Sequence, residues 1–186
     1  MSVDTRIGHV YLSADEIGAR VAELGRQIAE DYAGREPLLV GALKACFVFL
    51  ADLMRAIPIV HRVDFVELAA YEGSEAGGHK GIRLLKDLDR DIEGQDVLLV
   101  EDVVDTGLTL NYLVKTLRLR EPRSLAVVTL LDRPYRRLVD DLPVEYVGFT
   151  VPDEFFVGYG FDLDERFRNL PDLHLVENAA SGNGKS

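Results

Sequence analysis

Apolar residues recur along this chain with two different periods, and the switches between them mark its elements. Ser13-Ala14-Asp15-Glu16 reads as a capping box, in which the serine hydroxyl and the glutamate carboxylate satisfy each other's backbone donors. Ile17, Val21, Leu24 and Ile28 follow at helical spacing, which predicts an amphipathic helix over about residues 14–32. Gly34 and Pro37 close it. Leu38 to Leu43 is a short apolar run, predicted as a buried strand that ends at Lys44, and Phe47 to Met54 reads as a mostly apolar helix. Pro58 to Leu68 is a second strand region, with mixed periodicity.

Tyr71 to Gly81 differs in kind. It holds four glycines and almost nothing apolar, so a mobile loop is expected there, either a lid or disordered. Leu84 to Leu88 continues the hairpin, and Ile92-Glu93-Gly94-Gln95 turns the chain into a strand at Val97-Leu98-Leu99-Val100. Leu110, Leu113, Val114 and Leu117 mark a helix that ends near Arg120-Glu121-Pro122. Ser124 to Leu131 and Val144 to Phe149 are further strands, and Phe155 to Gly160 is apolar and broken by glycine. Strands alternating with helical patterns predict an α/β fold, a parallel core sheet flanked by helices on both faces. There is no internal repeat and no linker. Residues 1–178 are expected to form a single domain, and 179–186, small and polar, a disordered tail.

Composition narrows the class. A chain of 186 residues that is 47% hydrophobic can bury a substantial core and is not a disordered polymer. No apolar run approaches the roughly 20 residues of a membrane span, and Met1 to Arg6 lacks the layout of a signal peptide. The single cysteine, Cys46, excludes an internal disulfide, fits a reducing compartment and is expected in the core. The net charge of −11 disfavours nonspecific nucleic-acid binding, which depends on Lys and Arg. Arg133, Arg136 and Arg137 are a candidate local basic patch set against that balance. His61, His79 and His174 show no metal-ligand spacing.

The chemistry is concentrated after Val100. Glu101 and Asp102 follow the apolar strand directly, then Val103-Val104, then Asp105-Thr106-Gly107-Leu108-Thr109. In open α/β sheets, ligands bind outside the carboxyl ends of the strands. Thr106, Gly107 and Thr109 can bring backbone N–H groups and hydroxyls together at a helix start, a concavity suited to phosphate. The acids suit hydroxyls, a metal ion or a proton, and adjacent carboxylates repel unless a cation or donors sit between them. The plain structural alternative is a solvated strand end with Asp105 capping the helix. No Gly-Lys-Ser/Thr follows, so this is not a nucleoside-triphosphate P-loop.

The whole stretch resembles the phosphoribosyl pyrophosphate signature of the type I phosphoribosyltransferases. From about residue 7 to 177 the chain is similar to their hypoxanthine-guanine branch. The supporting segments are Gly41 to Lys44, Glu101 to Thr109, Leu130 to Pro134, Val151 to Tyr159, Asp162 and Arg166 to Leu170. The resemblance implies the type I fold with a small hood built from the termini and the 133–170 region. It implies a cytoplasmic purine-salvage enzyme, homodimeric or homotetrameric, that needs Mg²⁺ and has neither nucleic acid nor membrane as partner. Its reaction transfers the 5-phosphoribosyl group of phosphoribosyl pyrophosphate to N9 of hypoxanthine or guanine, giving IMP or GMP and pyrophosphate through an oxocarbenium-like transition state.

By the same resemblance, Glu101 and Asp102 hold the ribose hydroxyls and, with Asp162, organise the metal. Asp105 is the catalytic residue that handles the purine N7 proton, as a base or as a hydrogen-bond acceptor. Thr106, Gly107, Leu108 and Thr109 bind the 5′-phosphate, Leu108 through backbone alone. Lys44, Ala45, Arg137 and Arg168 lie on the pyrophosphate side, and the Leu43–Lys44 peptide is often cis in the family. Arg133, Phe155, Phe156 and Asp162 bind the base, Phe155 by stacking and Phe156 through its backbone. Ala70 and Tyr71 open the lid. Three positions depart from the family: Ala45 stands for a usual Gly, Ala70 for a Ser, and Arg133 for the Lys that donates to the purine 6-oxo group. Arg133 motivates one rival reading, a xanthine-preferring enzyme. A second rival, an RNA-binding regulator of the pyrimidine-operon attenuator type that keeps the donor site, is opposed by the net charge of −11.

Overall fold

A computed structural model describes residues 5–72 and 80–178. The chain order is β1 (Thr5–Leu12), α1 (Ala14–Asp31), β2 (Leu38–Leu43), α2 (Phe47–Ala56), β3 (Arg62–Glu72) and β4 (Lys80–Lys86), followed by β5 (Asp96–Val104) and α3 (Leu108–Arg118). A strand β6 (Ser124–Asp132), a 3₁₀ turn (Pro134–Arg136), β7 (Val144–Thr150), β8 (Phe156–Val157) and β9 (Leu173–Asn178) complete it. The predicted capping box is present: the Ser13 amide donates to Glu16 Oε2 at 2.9 Å and the Glu16 amide to Ser13 Oγ at 3.3 Å.

The main sheet has six strands in the order β4-β3-β2-β5-β6-β7. All neighbours run parallel except β3 and β4, so the expected parallel core carries an antiparallel edge. Both faces of the central strands are covered, which is why they read as continuous apolar runs instead of alternating ones. Successive residues still point to opposite faces. Leu98 and Val100 join Ile17, Leu24 and Leu53 of α1 and α2, while Val97 and Leu99 join Leu110, Leu113 and Leu117 of α3. Each such side chain contributes roughly 1.5–3 kcal/mol on burial. Cys46 is fully buried in the core, as expected.

A second, three-stranded antiparallel sheet, β1-β9-β8, is the hood. Its apolar residues Phe156 and Leu173, with Tyr159 just beyond β8, belong to the same core cluster as α1 and α2. Several boundaries differ from expectation: β3 begins at Arg62 and not at Pro58, and β4 spans Lys80–Lys86 where Leu84 to Leu88 was expected. β5 continues through Glu101 and Asp102 to Val104, so the paired acids lie within the strand and not beyond it. Tyr71 and Glu72 end β3 and pair with Gly81 and Lys80, so the ends of the expected loop are strand. Its remainder, residues 73–79, and the expected tail, 179–186, lie outside the described residues.

Candidate active site

The parallel strands β2, β5 and β6 all deliver their carboxyl ends to one rim. Val104 pairs with Asp132, which sets the ends of β5 and β6 level, and Lys44 follows directly on β2. Ala70 and Tyr71 sit on β3 beyond its Glu67–Leu43 pairing with β2, hence on the same side. The rim at β5 holds a cavity of about 200 Å³ lined by Glu101, Asp102, Asp105, Thr106, Gly107 and Thr109, among others.

Glu101 is only 8% exposed. Burial holds its carboxyl well above the usual range, and the neighbouring Asp102 adds to the effect. Asp102 is half-buried, and burial pushes it up to about 6 even though backbone hydrogen bonds and Arg168 oppose that rise. A buried and a half-buried acid side by side, both held up in this way, favour a partner that brings hydrogen-bond donors or positive charge.

The phosphate-type loop is shaped by Gly107. Its φ is +80°, and a Cβ there would lie 2.8 Å from the Leu142 side chain. Gly107 is also the N-cap of α3 and supplies no side-chain hydrogen bond. Asp105 is therefore not the cap; the nearest substitute is Thr106 Oγ1, which accepts from the Leu108 amide at 3.4 Å. Beyond that contact, the first amides of α3 have no acceptor within the helix, and Gly107, Thr109 and Leu110 at this helix start line the cavity.

On the other side of the rim, Lys44 follows a cis Leu43–Lys44 peptide, as the resemblance implies. Gly160, at φ +96°, lets the hood approach it: a Cβ there would meet the Ala45 carbonyl at 2.5 Å. Arg168 donates to the Gly160 carbonyl at 2.8 Å and pairs with Asp162 at 2.8 Å. Lys44 and Arg168 share one carboxylate, Glu165, at 3.4 and 3.3 Å. Arg137 is grouped differently. It pairs with Asp132 and packs beside Gly107, with its Cδ 3.1 Å from where a Cβ would stand. The structure thus joins Arg137 to the 106–109 loop, and Lys44 and Arg168 to each other.

Arg133, the residue after β6, reaches the segment that leads into β8. The Arg133 guanidinium donates to the Glu154 carbonyl and lies 5.6 Å from the Phe156 ring centre. Phe155 is 57% exposed, an aromatic face open to a ligand, whereas Phe156 is buried. Strand β8 is the outer strand of the hood sheet, so backbone groups on its far side have no sheet partner. Sequence reasoning missed two residues here. Glu165 pairs with both Lys44 and Arg168. Arg136, noted only as part of a basic cluster, pairs with Asp105 at 2.7 Å and with Asp153 at 2.6 Å. Pro134 after a strand end was the available signal, since it fixes the tight turn that aims Arg136.

Among the described residues, no three His, Cys, Asp or Glu side chains converge as a ready metal cage. Glu101 and Asp102 without a cage suit Mg²⁺, which keeps several waters and binds through one or two carboxylates plus substrate phosphates.

Three comparisons bear on this arrangement. Residues 11–165 match the phosphoribosyl transferase domain family. The chain is 53% identical over 164 residues to the hypoxanthine phosphoribosyltransferase of Salmonella typhimurium, covering 87% of this chain and 91% of that one. It is 48% identical to the hypoxanthine-guanine phosphoribosyltransferase of Mycobacterium avium, covering 88% and 83%. The crystal structure of a hypoxanthine-guanine phosphoribosyltransferase from Bacillus anthracis superposes with a TM-score of 0.86 at 41% identity, covering 94% and 100%. The family match over residues 11–165 and the relatives that share this scaffold show that the chain belongs to the phosphoribosyltransferase family.

Proposed function

We propose that this chain is a purine-salvage hypoxanthine/guanine phosphoribosyltransferase, acting as one catalytic unit on phosphoribosyl pyrophosphate and a 6-oxopurine. The observation that carries this reading is the joining of two half-sites on one rim. The β5 cavity, with its buried acids and open helix amides, suits a ribose 5-phosphate. The exposed Phe155 with Arg133 suits a planar base bearing an acceptor oxygen.

Each residue then has a physical task. The α3 amides, with Thr106 and Thr109, take the 5′-phosphate. Glu101 and Asp102 accept from the ribose hydroxyls, which offsets their mutual repulsion. Lys44 and Arg168 neutralise the departing pyrophosphate, and Glu165 must give way to it. Asp105 accepts the N7 proton or its hydrogen bond, so that N9 keeps its lone pair for attack at C1 of the sugar. Mg²⁺ would add charge neutralisation at the pyrophosphate, and Glu101, Asp102 and Asp162 are the residues that would hold it, together with substrate oxygens. Holding acceptor and donor in line supplies much of the rate enhancement.

Among the described residues, no helix is long and apolar enough to cross a membrane. A cytoplasmic location fits a charged, phosphorylated donor, and assembly as a homodimer or homotetramer fits the family. Steady-state kinetics with hypoxanthine, guanine, xanthine and adenine test the base assignment; a preference for adenine would overturn it. The xanthine reading keeps one supporting observation, the unusual Arg133. Its forked guanidinium is already committed to the Glu154 carbonyl and the Phe156 face, which leaves a different donor geometry from a lysine. Arg133→Lys should shift the ratio of kcat/KM among the four bases and leave the KM for the donor unchanged.

A further inference from the structure

Arg136 lies outside every role assigned above, yet it joins the two half-sites. It stands in the turn Pro134–Arg136, which is stitched to the residues on either side of Asp105. The Arg133 amide donates to the Val104 carbonyl at 3.0 Å and the Leu138 amide to the Thr106 carbonyl at 2.9 Å. From this bracketed turn, the Arg136 Nε approaches Asp105 Oδ1 at 2.7 Å. Its other arm, Nη1, donates to Asp153 Oδ1 at 2.6 Å. Asp153 belongs to the segment that carries Phe155 and Phe156, two and three residues further on. That segment is itself tied back, through the Val151 amide on the Asp132 carbonyl at 2.9 Å.

Two carboxylates from separate segments thus meet on one guanidinium carried by a third. The planar fork can hold two carboxylates in a fixed mutual geometry, which an ammonium cannot do. Asp105 Oδ1 is enclosed and has no aligned hydrogen bond among the described residues, so the cation alone faces it. With Oδ1 turned to Arg136, Oδ2 is the oxygen left for a ligand. An ordinary exposed ion pair would contribute little and would not need this bracketing.

Resting on the functional reading above, we propose that Arg136 is a positioning residue that couples base capture to Asp105. A base stacked on Phe155 fixes the 152–156 segment. That segment fixes Asp153, Asp153 fixes the guanidinium, and the guanidinium holds Asp105 with Oδ2 toward N7. Arg136 touches neither substrate.

Kinetics of the purified full chain with Mg²⁺ test this, using Arg136→Gln, Arg136→Lys, Asp153→Asn and the Arg136→Gln/Asp153→Asn pair. Misplacing a reacting group by a fraction of an ångström costs about tenfold or more. Arg136→Gln should therefore raise the KM for hypoxanthine and lower kcat by about that factor, with the KM for the donor within about twofold of wild type. Asp153→Asn should reproduce part of the loss, and the paired variant should be no worse than Arg136→Gln alone, because both act through one link. Arg136→Lys should recover little of the lost kcat, because an ammonium keeps the charge but not the fork that fixes both carboxylates. Melting temperatures should not track these changes. Base and donor KM values that rise together, additive losses in the paired variant, or unchanged or faster turnover in Arg136→Gln would each overturn the coupling. A wild-type chain that converts no purine overturns the functional reading and the coupling with it. A wild type that turns over normally beside an unaffected Arg136→Gln overturns the coupling alone.

Discussion

Replacing Asp102 with Asn should make the ligand-free protein more stable at neutral pH while damaging donor use. The Asp102 carboxyl is pushed up to about 6, first by burial, with Val103 and Arg168 opposing. In an unfolded chain an aspartate titrates near 3.9. The folded state therefore holds this proton more tightly than the unfolded state does. The associated stability is fully present below about pH 4 and is lost as pH rises through about 6. The difference between the two values corresponds to about 3 kcal/mol as a ceiling. Asp102 is partly exposed, so solvent screening reduces the expectation to about 1–3 kcal/mol. Asn has nearly the same shape, cannot ionise and also relieves the repulsion felt by Glu101, for which Asp102 is the second cause of perturbation. Urea unfolding at pH 5, 6, 7 and 8, at one protein concentration, reads the effect. Tyrosine fluorescence can serve, because the chain has seven Tyr and no Trp. The variant should gain about 2–10 °C in Tm at pH 8, and the gap should shrink toward pH 5. Adding Mg²⁺ and donor should stabilise wild type more than the variant. A variant no more stable than wild type at pH 8, or a gap independent of pH, would refute the view that desolvation strains this carboxylate.

Asp105→Asn should cut kcat by ~10²–10⁴ if proton handling is rate-contributing; an unchanged rate in a stopped assay of IMP formation removes Asp105 from the mechanism. Lys44→Ala should raise the KM for the donor more than that for the base, and equal rises would mean that Lys44 serves the fold instead. Glu165→Gln should lower the donor KM severalfold, because a carboxylate no longer competes with pyrophosphate for Lys44 and Arg168; isothermal titration with pyrophosphate reads the same effect, and weaker binding would contradict it.

Much of the fold was legible in the chain because its elements are locally consistent. The Ser13–Glu16 box and the Ile17-Val21-Leu24-Ile28 stripe define α1 without outside help, and they do so in the structure. The uninterrupted run Val97–Val100 marks a strand buried on both faces, which only a sheet sandwiched by helices supplies. Strands β1 and β9 were not legible, since neither alternates cleanly; each exists because the other pairs with it across more than 160 residues of chain. The true ends of β5 were hidden for a related reason. Local pattern stops at the first carboxylate, whereas the ladder to β6 carries Glu101 into the buried strand by pairing it with Thr129.

The site divides along the same line. Sequence alone determined which residue types are present and in what spacing: the acids at 101, 102 and 105, the glycine-centred loop after them, and Lys44 behind an apolar strand. These follow from covalent order, since neighbours in sequence remain neighbours in space. Tertiary structure decided which charges neutralise which. It placed Glu165 on Lys44 and Arg168, turned Arg137 to Asp132, and set Arg136 between Asp105 and Asp153. Such pairings depend on distances between strand ends and hood turns that no local period encodes. Coulomb interactions act over a few ångströms of space and are indifferent to separation along the chain.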